Sequence, residues 1–145
     1  MYDIWRMQAI NDLQMLNARR QALINIPDRI AELESKVAGI RSAAADGTPV
    51  KGGGSGREDM LLNNIVARAE LSEALEEARR AVSRADAALG ILNGDERKLL
   101  EYLYISSDTG GAYRLAEEFN IDYKTVYKRA RPALSKFTVA MYGDK

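Results

Sequence analysis

From Leu71 onward the apolar residues advance by four and three in strict alternation: Leu71, Leu75, Ala78, Val82, Ala85, Leu89 and Leu92. That spacing keeps one stripe of a helix apolar over roughly three heptads, the pattern of a coiled-coil seam. A strand alternates with period two and would scatter these residues over both faces. Elsewhere strand-favouring runs are nearly absent, and Ala, Leu, Glu and Arg, all good helix formers, dominate. The expected fold is therefore all-α: a long antiparallel helical hairpin, coiled-coil-like, followed by a small C-terminal helix-turn-helix domain.

The first arm of the hairpin is predicted from about residue 2 to 45, with a core stripe of Trp5, Ala9, Leu13, Leu16, Leu23, Ile26, Ile30, Leu33, Val37 and Ile40. Pro27 removes a backbone donor and disfavours helical geometry at Ile26, which predicts a kink or short break over 25–27. Asp28 would favour the restart. Residues 46–56, rich in Gly, form the clearest loop. The loop is no phosphate cradle by pattern, because it follows a helix and lacks the Gly-Lys-Ser/Thr ending of a P-loop. The second arm is predicted over about 57–93. Its stripe can pair with the first arm, and it can also pack against another copy, since a two-helix hairpin has little core of its own. Leu71, Leu75, Ala78, Val82, Ala85 and Leu89 are the oligomerisation candidates on that second use, with a dimer favoured.

Asn93-Gly94 punctuates the chain and divides it into residues 1–93, the hairpin, and 94–145, the C-terminal domain. A helix opening near Asp95 would bury Leu99, Leu100, Leu103 and Tyr104. After a link over 106–111, Leu115, Ala116 and Phe119 lie at helical spacing, Asn120 stands where the chain must turn, and Asp122 is placed to cap a helix starting at Tyr123. Val126 and Ala130 give this second helix its apolar side. Tyr123, Lys124, Thr125, Tyr127, Lys128 and Arg131 are then left facing outward.

This is the layout of a helix-turn-helix whose second helix enters the major groove of double-stranded DNA. Lys124, Thr125 and Lys128, near the helix start, are the candidates for base edges. Arg129, Arg131, Lys136 and Arg114 are the candidates for phosphates. Tyr123 and Tyr127 have two readings open, a hydrogen bond to phosphate or packing against the hairpin. Pro132 would crowd the carbonyl of Lys128, so the second helix should kink or end near Arg131, with 133–141 as a separate packing segment.

Composition narrows the function further. Lys and Arg number 21 and Asp and Glu 21, so the molecule as a whole has no pull toward a polyanion. The basicity is local: between Tyr123 and Phe137 stand Lys124, Lys128, Arg129, Arg131 and Lys136 with no acid among them. With neither Cys nor His, the chain has no disulfide, no thiolate-zinc site and no Cys or His catalysis. Adjacent acids such as Glu117-Glu118 point roughly 100° apart on a helix and do not converge on a substrate. No enzyme, cofactor or metal is expected. The N-terminal residues lack a signal-peptide pattern and no apolar run reaches the ~20 residues a membrane span needs, which predicts a cytoplasmic protein with no membrane partner.

The segments 95–105, 114–119 and 124–129 resemble region 4 of bacterial sigma-70 factors. The whole chain is more similar still to small phage and prophage proteins of Gram-positive bacteria, the sigma-region-4-like late-gene regulators of the ArpU and RinA type. Pro27-Asp28-Arg29-Ile30, Thr48-Pro49-Val50-Lys51-Gly52-Gly53-Gly54, Met60-Leu61-Leu62-Asn63-Asn64-Ile65 and Phe137-Thr138-Val139-Ala140-Met141-Tyr142-Gly143 carry that resemblance. It implies a transcriptional regulator of phage genes in a bacterial host cell, and RNA polymerase as a candidate partner. Two other functions stay open at this point: a DNA-packaging recognition protein like a phage small terminase subunit, and a protein-only adaptor that binds polymerase.

Overall fold

The computed structural model describes residues 3–45, 53–106 and 109–143. Two long helices pack antiparallel, α1 (Ile4–Ala45) and α2 (Gly53–Gly90), and shorter helices follow. These are α3 (Gly94–Leu100), which runs on as a π-helical turn over Glu101–Ile105, then α4 (Gly111–Phe119) and α5 (Tyr123–Tyr142). Cross-contacts between the long helices give their direction: Asn64 reaches Leu33, and Arg20 reaches Asp86. The part of the expected loop over 46–52 lies outside the described residues, whereas Gly53 already belongs to α2. Among the described residues no helix is long and apolar enough to cross a membrane.

Three sequence expectations need correction. α1 is one helix through Pro27, so the break expected over 25–27 is absent. A proline inside a helix forfeits one hydrogen bond, and the half-buried neighbours Leu23, Ile26 and Ile30 hold the helix across that gap. α5 likewise continues through Pro132 to Tyr142. Ala133, Leu134, Phe137 and Thr138 are all buried beyond it, and their packing outweighs the lost bond. Trp5, placed in the core stripe by its spacing, is exposed and stacks on Tyr142, with ring centroids 5.2 Å apart.

The chain divides into two compact units, with the dividing points inside the long helices. One unit is Gln21–Arg79. Its helices meet through half-buried Leu33, Val37, Leu61 and Leu71, and its best-covered apolar residues, Leu75 and Ala78, are each 8% exposed. Asn64, 7% exposed, donates from Nδ2 to the Leu33 carbonyl at 2.8 Å and accepts from Arg68 Nε at 2.8 Å. A buried amide that finds its partner in only one alignment fixes register at a small cost in stability. Met60, Leu62, Ile65 and Val66 are exposed on α2.

The other unit joins Met1–Arg20 to Arg80–Lys145. Ala9, Leu13 and Leu16 of α1, Ala85 and Ala88 of α2, Leu100, and Ala133, Leu134 and Phe137 of α5 are all buried in it. α3 begins with a reciprocal cap: Asn93 accepts from the Glu96 backbone at 2.8 Å, and the Glu96 side chain accepts from the Asn93 backbone at 3.1 Å. Asn93 therefore opens α3 instead of closing α2, which stops at Gly90. The π turn is closed by Ser106 N–H to the Glu101 carbonyl at 2.8 Å.

Candidate nucleic-acid interface

Leu115 of α4 and Val126 of α5, both fully buried, pack with Ala112, Ala130 and Leu99. Ala116, Phe119 and Ile121 close the cluster from its edge. The turn between the helices has a defined chemistry. Asn120 takes the left-handed conformation, φ 53° and ψ 50°. Its N–H reaches the Glu117 carbonyl at 3.3 Å, and the Ile121 N–H reaches the Ala116 carbonyl at 2.9 Å. That pair of bonds is a Schellman ending, with Ile121 supplying the apolar contact that accompanies it. The chain then becomes extended at Asp122 (φ −70°, ψ 147°), as a capping residue should. The Asp122 side chain makes no cap bond; its backbone carbonyl instead accepts from Thr125 at 2.9 Å and Val126 at 3.3 Å.

With Val126, Ala130, Ala133, Leu134 and Phe137 turned inward, α5 presents its other side to solvent. Lys124, Tyr127, Lys128, Arg129 and Arg131 are exposed, and Thr125 is half-buried. Lys124, Tyr127, Lys128 and Arg131 recur at steps of three and four and share one face. Among the described residues no acid pairs with Lys124, Lys128, Arg129 or Arg131. Lys136 stands apart from these four: its Nζ lies 2.8 Å from Glu96 Oε2. That hydrogen bond, with the one from the Asn93 backbone, holds the Glu96 carboxyl below its ordinary pKa of 4.5. Lys98 pairs with Glu118, which raises the Lys98 pKa. Arg114 is exposed on α4.

Tyr123 and Tyr127 have ring partners within the motif. Tyr123 stacks on Tyr113 of α4 at 4.5 Å and meets Tyr127 edge-on at 5.5 Å. A hydrogen bond with Tyr127 raises the Tyr123 pKa above 10. Sequence reasoning does not single out Tyr113. The signal present is three tyrosines near the starts of both helices, but their meeting depends on the crossing of α4 and α5.

The oligomerisation candidates are covered from within the chain. Leu75, Ala78, Val82, Ala85 and Leu89 are buried and Leu71 half-buried in the described structure. Comparison with family models, with curated proteins and with solved structures returns no match for this chain.

Proposed function

We propose that this chain is a sequence-specific DNA-binding regulator of transcription, of the sigma-region-4-like kind found in phages and prophages, reading double-stranded DNA through α5. One observation carries the reading: four cations of α5, Lys124, Lys128, Arg129 and Arg131, stand exposed without an acid partner among the described residues, on the second helix of a helix-turn-helix. Lys98, Arg19, Arg20 and Lys136 are paired, and cations without an acid partner among the described residues, such as Lys36, Arg80 and Arg97, lie outside the second helix of the motif. Leaving several like charges unpaired on one short face raises the energy of the free protein, and a polyanion removes that cost by releasing counterions. A neutral molecule with one basic face binds DNA without coating it indiscriminately.

Pairing of α2 with α1 uses the Leu71-to-Leu89 stripe inside the chain, so a dimer would draw on other apolar side chains. Met60, Leu62, Ile65 and Val66, exposed on α2, are the ones present. Fluorescence anisotropy with labelled DNA tests the main reading. The double variant Lys124→Ala/Lys128→Ala should weaken binding to a selected target by about 1–3 kcal/mol for each base edge no longer read. Absence of any duplex binding by the unmodified protein at low salt would rule the proposal out. Mapping bound DNA in the host cell then separates transcription control from DNA packaging.

A further inference from the structure

Tyr113, Tyr123 and Tyr127 are 66%, 39% and 45% exposed, an unusual amount of aromatic surface to leave in water on so short a motif. They are not loose side chains. Tyr113 and Tyr123 lie nearly parallel, 25° between planes at 4.5 Å, and Tyr127 meets Tyr123 at 76° and 5.5 Å. Each ring has only two side-chain torsions, so mutual stacking fixes all three at low entropic cost. The array bridges the start of α4 to the start of α5, since Tyr113 is the third residue of one helix and Tyr123 the first of the other.

What such an array can bind follows from which of its atoms are free. Tyr113 and Tyr123 each spend one ring face on the other, and a base held in the stack of a duplex cannot reach the faces left over. Hydroxyls remain. Tyr123 is engaged with Tyr127, whose ring meets it edge-on, and this raises the Tyr123 pKa. Tyr113 has no hydrogen-bond partner among the described residues. Tyr127 shares the α5 face of Lys124 and Lys128, so the array offers donors where an anionic acceptor is favoured. A single hydroxyl carries no base-edge code, so the acceptor that fits is phosphate.

We propose that Tyr113, Tyr123 and Tyr127 form a backbone clamp, in which the Tyr113 and Tyr127 hydroxyls donate to phosphate oxygens of one DNA strand at the edge of the groove that α5 enters. The proposal rests on the DNA-binding reading of α5. It adds a residue from the first helix of the motif and assigns the tyrosines to orientation on the duplex rather than to base reading. Stacking sets the distance between the two donors before DNA arrives, so binding need not order them.

The test uses the full chain, a short mixed-sequence duplex and a salt titration, with Tyr113→Phe, Tyr113→Ala and Arg129→Ala/Arg131→Ala compared. Tyr113→Phe keeps the ring stack and removes only the hydroxyl. It should weaken binding roughly tenfold on any duplex sequence, as expected for one hydrogen bond to a charged acceptor. Its salt slope should match that of the unmodified protein, because no cation is removed, whereas each phosphate-facing arginine replaced should reduce the slope by about 0.9. Its thermal unfolding should also be unchanged. If Tyr113→Phe binds as tightly as the unmodified protein while Tyr113→Ala loses affinity, the ring and not the hydroxyl matters and the clamp is overturned. If neither variant changes binding, the clamp is overturned and α5 remains the DNA reader. If the unmodified protein binds no duplex, the clamp falls together with the reading it rests on.

Discussion

Tyr142, the last residue of α5, donates its hydroxyl hydrogen to Asp12 in the third turn of α1. The residues are far apart in sequence, and the bond ties the first helix to the end of the last. Asp12 is 6% exposed and also pairs with Arg19 Nη1 at 3.2 Å. Trp5 stacks on the Tyr142 ring, and Arg6 Nη2 donates to Ser135 at 3.3 Å on the same side. Replacing Asp12 by Ala leaves a half-buried hydroxyl and a guanidinium without their acceptor. Urea unfolding should register a loss of about 2–3 kcal/mol. A variant as stable as the original would mean that solvent replaces the carboxylate at no cost.

Burial, and then the bond to Asp12, pushes the Tyr142 hydroxyl up to about 12 from an ordinary 10. The sign of the pH effect follows. Below pH 10 the folded and unfolded chains both hold this proton, and the stabilising contribution is complete. Between about pH 10 and 12 the unfolded chain releases the proton and the folded one keeps it, so stability falls as pH rises. Tyr142→Phe removes this component. Thermal melts of the variant should therefore decline less steeply over that window than those of the original, and equal slopes would contradict the assignment.

Much of the architecture is legible in the sequence because it depends on repeating side-chain periods. The four-three stripe from Leu71 reports a helix whose inner face meets another helix, and the stripe is indeed covered. Asn120 reports its own turn because few residues tolerate its φ of 53°. The prolines mislead for the opposite reason. Their penalty is local and readable, while the packing of Leu134 and Phe137 that overrides it at Pro132 depends on helices distant in sequence. Trp5 fits the α1 stripe by spacing, yet at the helix start little lies above it except Tyr142. In the candidate interface the four unpaired cations are legible. The pairing of Lys136 with Glu96 and the stacking of Tyr113 on Tyr123 are not, since both join separate helices.

Gly111 illustrates a constraint that only the folded chain reveals. A Cβ built there would lie 2.3 Å from the backbone carbonyl oxygen of Tyr102, in the π turn that α4 packs against. A backbone oxygen cannot swing aside as a side chain would. Gly111→Ala should separate the π turn from α4 and cost about 2 kcal/mol or more, the range of core overpacking. The measurement is the chemical-denaturation midpoint. An unchanged midpoint would show that the close approach is relieved without loss.

Pro132 is exposed, helical and followed by buried Ala133 and Leu134. Replacing it by Ala restores an N–H that can reach the Lys128 carbonyl and removes the ring from an already formed helix. Intrinsic propensity favours the change by about 3 kcal/mol, and the greater freedom of the unfolded chain gives back about 0.4–1 kcal/mol. Pro132→Ala should therefore stabilise the protein by about 1–2 kcal/mol after relaxation losses. A destabilised variant would argue against continuity of α5 at this point.

Glu96 has two duties that two substitutions separate. Its Oε1 accepts from the Asn93 backbone at 3.1 Å, and its Oε2 lies 2.8 Å from Lys136 Nζ. Gln keeps an oxygen for the first duty and discards the charge used in the second; Ala discards both. Glu96→Ala should cost about 1 kcal/mol more than Glu96→Gln, the worth of a helix cap. Because the two contacts hold the carboxyl below 4.5, its contribution is present at neutral pH and fades as acid takes the pH down through that lowered pKa. Glu96→Gln should lack this acid-side decline. The same variant leaves Lys136 uncompensated on α5, the helix that carries the cations proposed to meet DNA. If that face binds DNA, Glu96→Gln should tighten binding at low salt and steepen its salt dependence, because one more cation displaces counterions. A salt slope identical to that of the unmodified protein would place Lys136 beyond reach of the duplex.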